Sequence, residues 1–414
     1  MPAFEANLAS LIHPVSVEEF FSGYWGKKPL YVPRSNRGYY QTLFSTHDIH
    51  DILRFSAPLE GWNDKVKMAI KYRMVPQEVL FDRDAPGFNY RMIAKSVNAV
   101  SLVLNHIQDD SNRILHLTKR LGQDLQGRIS GQVNVNAYLS PGRSYIGCHR
   151  DTHDEFNIQV EGSKRWQVYE PDVRVPYFGM PMDSGLDPKT GRPAIYDKEP
   201  IMDIVPNQGE FLYMPRGFWH NPVNSDAESS LGLTIGVHPL CWLDVLILAL
   251  KAEAAGCENF RETVPVGLAL DSPAQAVIPD ALLDLYGKMR DRISLPNIVS
   301  ELPRETSKAG PRPEEIRFPS VEDLENLCFE SKLRRLEAES WVVEQSYGFL
   351  KLRVGQREIG LRMELKPIMD YICESAMFTP VELPGDLSAE ERIRLCRFLL
   401  NFWPIIFASR ASAS

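Results

Sequence analysis

Hydrophobic and polar positions divide the chain into stretches of different period. Ser16 and Glu19 form a capping-box pattern ahead of Phe20 and Phe21, so a helix starts there. Lys27-Lys28-Pro29 ends it, and Leu30-Tyr31-Val32 reads as a strand. Val97, Val100, Leu104 and Ile107 recur at helical spacing and predict a helix from about Ser96 to Asp109. Another is predicted from Arg113 to Leu125.

From Gln132 the period changes to two. Val133 to Leu139 alternates, and Ser140-Pro141-Gly142 turns the chain. Phe156 to Val160 is a second strand, ended by Glu161-Gly162; Trp166 to Tyr169 is a third, ended by Pro171. Phe211 to Met214 and Leu231 to Val237 add two more. Short strands at this spacing predict a β-sandwich or open barrel. After Pro239 the pattern is helical through about Ala255, and again from Pro279 to Arg292. Residues 296–320, with Pro296, Pro303, Pro311, Pro313 and Pro319, read as a linker. The remainder reads as a small α+β domain. It has a short helix from Glu322 to Cys328 and a strand pair, Trp341 to Val354 with Ile359 to Met363. A last helix is capped by Ser388 and Glu391 and runs through Leu400.

Composition narrows the classes. The 414 residues are 44% hydrophobic and 24% charged, an ordinary globular balance that excludes disordered and collagen-like chains. No run of about 18 uninterrupted apolar residues occurs, so no membrane-spanning helix and no membrane partner is expected. No basic start, apolar core and small-residue cleavage site open the chain, so no secretory signal is expected. The net charge of −8 lacks the basic footprint of a nucleic-acid binder. None of the six cysteines forms a CxxC pair, which fits a reducing compartment, and a cytoplasmic location is expected.

His149-Arg150-Asp151 puts an imidazole and a carboxylate two residues apart. On a strand such positions face the same way and can grip one metal ion. His220, after Pro215-Arg216-Gly217-Phe218-Trp219, is the candidate third ligand. Two histidines and one carboxylate on one triangular face leave coordination positions open, a set that favours non-haem Fe(II). His149, Asp151 and His220 are therefore both the candidate metal ligands and the candidate catalytic residues. The pair alone is weak evidence in a chain with nine histidines. His153-Asp154-Glu155 offers a competing pair, and an isolated HxD also occurs as a surface hydrogen-bonding pair.

The wider pattern is more specific. Gly147-Cys148-His149-Arg150-Asp151, Gly162-Ser163-Lys164 and Pro215-Arg216-Gly217-Phe218-Trp219-His220 together resemble the JmjC/cupin-type 2-oxoglutarate oxygenases. In that family a glycine, any residue, and a lysine or arginine follow the first histidine by about fifteen residues. Lys164 lies fifteen after His149, a register that selects His149 and Asp151 over His153 and Glu155. The resemblance implies that Lys164 holds the distal carboxylate of 2-oxoglutarate, a group that needs a buried cation. Asn136-Ala137-Tyr138-Leu139-Ser140-Pro141 resembles the family strand whose Asn and Tyr line the co-substrate pocket, which implies that role for Asn136 and Tyr138. Thr234 is a further candidate for the pocket. Val17 to Leu30 also resembles the start of these proteins.

Within the family, the layout resembles the ribosomal-oxygenase-like (cupin 4) proteins. The implied fold is α+β. Residues 1–239 would form a double-stranded β-helix, the jelly-roll or cupin, JmjC-type catalytic core with flanking helices. Residues 240–300 would form a helical dimerisation segment, and 301–414 a winged-helix-like domain. The implied cofactors are Fe(II) and, as co-substrate, 2-oxoglutarate. The implied activity is hydroxylation of a protein or peptide side chain, at the β-carbon. Nε-methyl-lysine demethylation, a non-catalytic cupin scaffold and a metal-dependent isomerase are the alternatives. Apolar faces between Leu240 and Leu250 point to a homodimer. Residues 314–414 hold 13 Lys/Arg and 17 Asp/Glu, a net of −4, so the winged-helix-like domain is expected to serve as scaffold or partner-binding element rather than bind DNA. The insertion Pro181 to Pro200 reads as a loop, either a lid or a solvated excursion.

Overall fold

The computed structural model describes residues 4–57, 65–70, 73–76, 80, 89, 92–93, 96, 100–131, 133–142, 144–145, 147–180, 194–224, 229–263, 283–287, 312, 316, 318–335, 341–346, 348–354, 357–402 and 405–408. The chain divides into two compact units. The first comprises 1–124, 132–237 and 309–414; the second comprises 125–131 and 238–308.

In the first unit the strands before residue 240 run in chain order: β1 (Leu30–Val32), β2 (Val66–Ile70), β3 (Arg73–Met74), β4 (Ser101–Leu104), β5 (Asn134–Ser140), β6 (Ser144–Tyr145), β7 (Asp154–Glu161), β8 (Arg165–Tyr169), β9 (Met202–Ile204), β10 (Phe211–Met214), β11 (Trp219–Asn224) and β12 (Ser230–Val237). They form an eight-stranded sheet, β1-β10-β7-β12-β5-β4-β2-β3, and a four-stranded sheet, β6-β11-β8-β9. Every pairing is antiparallel. Trp166 and Val168 on β8 pack with Leu212 and Met214 on β10 and with Phe218, so the two sheets face each other across an apolar seam. Complete burial of Val168 is worth about 1.5–3 kcal/mol. This is the sandwich that the spacing of short strands predicts.

Of the expected helix from Ser96 to Asp109, residues 97–99 lie outside the described residues, and 101–109 form strand β4 and a 3-10 turn, Ile107–Asp109, instead. Ser101 to Leu104 are all buried, so the segment shows no polar face and its period misleads. The helices α1 (Leu8–Ile12), α2 (Val17–Gly23), α3 (Thr46–Phe55) and α4 (Asn112–Asp124) flank the sheets. Ser16 accepts from the Glu19 N–H at the start of α2, as its sequence indicates.

The second unit contains α5 (Trp242–Gly256), of which only Val245 and Ala249 are buried. The C-terminal part of the first unit contains α6 (Val321–Glu325), a three-stranded sheet and a meander. The sheet joins β13 (Leu333–Arg335), β17 (Met377–Phe378) and β18 (Ile405–Phe407). The meander is β14 (Trp341–Ser346), β15 (Phe349–Val354) and β16 (Arg357–Arg362), where one strand and a partner were expected. Gly348, at φ +90°, makes the extra turn. Helices α7 (Lys366–Glu374) and α8 (Ala389–Phe402) complete it, and α8 carries the expected Ser388–Glu391 capping box. The helix expected from Pro279 to Arg292 is described only at 283–287, and most of the expected linker lies outside the described residues. So do residues 181–193 of the Pro181 to Pro200 insertion, read as a lid or a solvated excursion.

Candidate metal centre and its cavity

The inner face of the large sheet is polar where a sandwich core is usually apolar. On β7, Glu155, Asn157 and Gln159 alternate with the outward residues Phe156 and Ile158 and are themselves buried. Asn157 pairs in register with Thr234 of β12, and Gln159 with Gly232. Gly232 in turn pairs with Tyr138 of β5. With Lys164, Trp166 and Pro222 from the opposite sheet, these side chains line a cavity of about 80 Å³. His149 and His220 stand in its wall.

His149, Asp151 and His220 come together there, but not by strand alternation. Residues 147–153 are irregular, and His149 touches the sheet through one isolated bridge to His220. The two residues exchange both backbone hydrogen bonds, at 3.0 and 2.8 Å, and Gly217 N donates to Asp151 O at 2.9 Å. Each imidazole Nδ1 meets a backbone carbonyl two residues earlier: Gly147 O at 2.9 Å and Phe218 O at 3.2 Å. Nδ1 therefore carries the proton, and both Nε2 lone pairs turn inward. Those two atoms are 3.1 Å apart. The Asp151 carboxylate lies 3.7 and 3.5 Å from them.

Two lone pairs and a carboxylate this close repel one another unless a cation lies among them. Burial holds His220 below its ordinary imidazole value, which keeps it an acceptor. Asp151 Oδ2 is buried without a hydrogen-bond partner. All three observations fit a divalent metal ion bound by His149, Asp151 and His220, and the two-His, one-carboxylate set suits iron(II). A second group, Asp151 with His153 and Glu155, also lies within metal-ligand spacing. There Glu155 is already bonded to Asn157 Nδ2 at 3.2 Å. Burial first, and Asp151 second, push its carboxyl up to about 7, which favours a protonated acid over a ligand.

Lys164 is fully inside the protein, 6% exposed. Its Nζ donates to Ser140 Oγ at 3.1 Å and lies 5.9 Å from the Tyr138 ring centroid. No carboxylate among the described residues pairs with it. Burial lowers its pKa to about 8. Thr234 Oγ1 donates to Asn157 Oδ1 at 2.7 Å inside the cavity. Tyr138 also lines it, and burial raises its hydroxyl far above the ordinary range. Asn136 shares the Tyr138 face of β5 but does not line the cavity; its Oδ1 accepts from His106 N at 3.1 Å. Sequence reasoning missed Asn157 and Gln159. Their signal was polar residues at every second position of a strand bounded by buried ones.

The turn before His220 depends on Gly217, at φ +87°. A Cβ there would meet Val173 O at 2.5 Å and Pro176 Cδ at 2.9 Å. Gly217→Ala is expected to cost about 2–4 kcal/mol, through left-handed strain plus the clash, and urea unfolding measures it.

Residues 113–245 match the family described as the JmjC domain. Human ribosomal oxygenase 1 is 31% identical over 268 residues, 62% of this chain and 38% of the human protein. The bifunctional lysine-specific demethylase and histidyl-hydroxylase NO66 of Drosophila erecta is 31% identical over 231 residues, 55% of this chain and 33% of that protein. The chain thus spans about a third to a half of the length of the curated relatives it matches. The structure of YcfD, a ribosomal oxygenase from Escherichia coli in complex with cobalt and 2-oxoglutarate, aligns over 96% of this chain and 99% of that one. The identity is 16% and the TM-score 0.44.

Proposed function

We propose that this chain, whose residues 113–245 match the family described as the JmjC domain, is an Fe(II)- and 2-oxoglutarate-dependent oxygenase that hydroxylates a side chain of a protein or peptide. The observation that carries this reading is Lys164, a buried cation without a described carboxylate partner in the same cavity as His149 and His220. A dicarboxylate that chelates the metal with one end would give Lys164 the anion it lacks.

His149, Asp151 and His220 would hold the iron and leave one side of it open. Iron held there, with 2-oxoglutarate and dioxygen as co-substrates, would supply the oxidising power: one oxygen atom would go to succinate as carbon dioxide leaves, and the other to the substrate C–H bond. Lys164 fixes the co-substrate's far carboxylate, with Ser140 Oγ accepting from its ammonium. Tyr138 and the hydrogen-bonded pair Thr234–Asn157 bound the co-substrate space, and Asn136 supports Tyr138 from the same strand face. Leu212, Trp166 and Pro222 exclude water from it.

Anaerobic reconstitution with Fe(II), then titration with 2-oxoglutarate, tests the reading. A weak visible metal-to-ligand charge-transfer band is expected. No band and no 2-oxoglutarate binding would return the domain to a cupin-type scaffold. Succinate release against candidate proteins then identifies the substrate, for which an Arg, His or Asn side chain hydroxylated at the β-carbon is proposed. Formaldehyde release would instead mark lysine demethylation.

The proposal extends to organisation. Residues 1–239 form the catalytic region, 240–300 a helical dimerisation segment and 301–414 a winged-helix-like scaffold, in a cytoplasmic homodimer. On α5, Trp242, Leu243, Leu246, Ile247 and Leu250 are exposed, Trp242 by 76%. Leu246→Asp should halve the mass measured by light scattering; an unchanged mass would remove this face from the interface.

A further inference from the structure

We propose that Asp172 is a positioning residue for the metal ligands, holding together from behind the two chain segments that carry all three. The inference rests on the reading of His149, Asp151 and His220 as ligands. Those ligands arrive on residues 149–151 and on 220, segments joined at the backbone by the His149–His220 bridge and the Gly217–Asp151 bond. Each segment also turns a side chain away from the cavity. Arg150 lies between His149 and Asp151, and Trp219 directly precedes His220. The Arg150 guanidinium stacks 4.5 Å over the Trp219 ring. Both groups donate to one atom, Asp172 Oδ1: Arg150 through Nη1, and Trp219 through Nε1 at 3.0 Å. Val173 N donates to the same oxygen at 2.9 Å, which fixes the carboxylate on its own loop.

An ordinary exposed ion pair would do little, because solvent screens it. This one differs. The Arg150 side chain is 4% exposed, and Trp219 is 3% exposed among Tyr169, Ile195 and Cys148. Asp172 itself is 44% exposed, but both donors are withdrawn from water, so loss of the shared acceptor removes the tie between the two segments and lets each move. Either movement shifts a ligand one residue away. Partners behind the ligands tune metal affinity typically 10–100-fold.

The test is Co(II) titration of the apo protein, followed by visible d–d absorption. Asp172→Ala is expected to weaken Co(II) binding about 10–100-fold and to alter the band shape, while the apo melting temperature moves only slightly. Asp172→Asn keeps an oxygen for Trp219 and Val173 but no charge for Arg150, so it should fall between. Asp203→Ala is the control. It removes the Arg165–Asp203 pair, 2.7 Å long, from the same four-stranded sheet without touching either ligand segment. Its Co(II) affinity should stay within about twofold of the parent. The proposal is overturned if Asp172→Ala binds Co(II) like the parent with the same spectrum, or if Asp203→Ala weakens binding equally. If the parent itself binds no Co(II), the metal reading fails first and this one falls with it.

Discussion

Asp151→Ala should leave a folded protein that no longer retains iron(II), with turnover reduced at least about 1,000-fold. Its carboxylate is the only anionic group of the His149, Asp151 and His220 set. Two neutral imidazoles alone offer a divalent cation no charge compensation. Loss of an outer partner typically weakens metal binding 10–100-fold, and loss of a ligand must exceed that. Stability should change little, because Asp151 Oδ2 makes no hydrogen bond to lose. Removing it may be compared with His153→Ala, which belongs only to the alternative group. Metal titration by calorimetry decides between them. Asp151 belongs to both groups, so the histidines discriminate: if His153→Ala abolishes binding and His220→Ala does not, the ligand set is misassigned.

Lys164→Met should separate function from stability in opposite directions. Truncating one partner of a buried charge pair costs about 2–5 kcal/mol in binding, or roughly 30- to 5,000-fold in 2-oxoglutarate affinity. The apo protein should gain. Burial lowers the lysine pKa from 10.5 to about 8, so the folded state holds this charge on the order of 3 kcal/mol less well than the unfolded chain does. The sign follows from proton counts. Between pH 8 and 10.5 the unfolded chain binds the extra proton, so wild-type stability rises with pH across that window. Below pH 8 the full penalty is present, and above about 10.5 it vanishes. Lys164→Met should therefore unfold at higher urea than the parent at pH 7, and the difference should shrink towards pH 10. A variant that binds 2-oxoglutarate normally would place the anchor elsewhere.

Elements with one clean period were readable from sequence alone. β5, Asn134–Ser140, alternates as expected, and the capping boxes at Ser16 and Ser388 mark true helix starts. Ser101 to Leu104 was not readable, because a strand buried on both faces shows no alternation of exposed and buried positions. The grouping of His149, Asp151 and His220 as candidate ligands was legible through spacing to Lys164 and the Pro-Arg-Gly turn, although the strand invoked to align His149 with Asp151 is absent. What aligns them is tertiary: the bridge to His220 and the Gly217–Asp151 bond. Asp172 meets Arg150 across 22 positions and Trp219 across 47, a contact no local pattern encodes.

The isolated bridge between His149 and His220 has a consequence for how the protein matures. The two residues stand 71 positions apart. An ion held by both is a reversible cross-link closing a loop of that length. In the unfolded chain, closing such a loop costs about 4 kcal/mol of conformational entropy, roughly a thousandfold in affinity. The nascent chain therefore cannot capture iron while only the first histidine has been made. Loading waits until β8 to β11 have folded and brought the second histidine back. Once bound, the ion stabilises the native state by mass action, in proportion to the logarithm of its free concentration. On the proposed reading, iron supply would then set how long the sandwich survives as well as how fast it works.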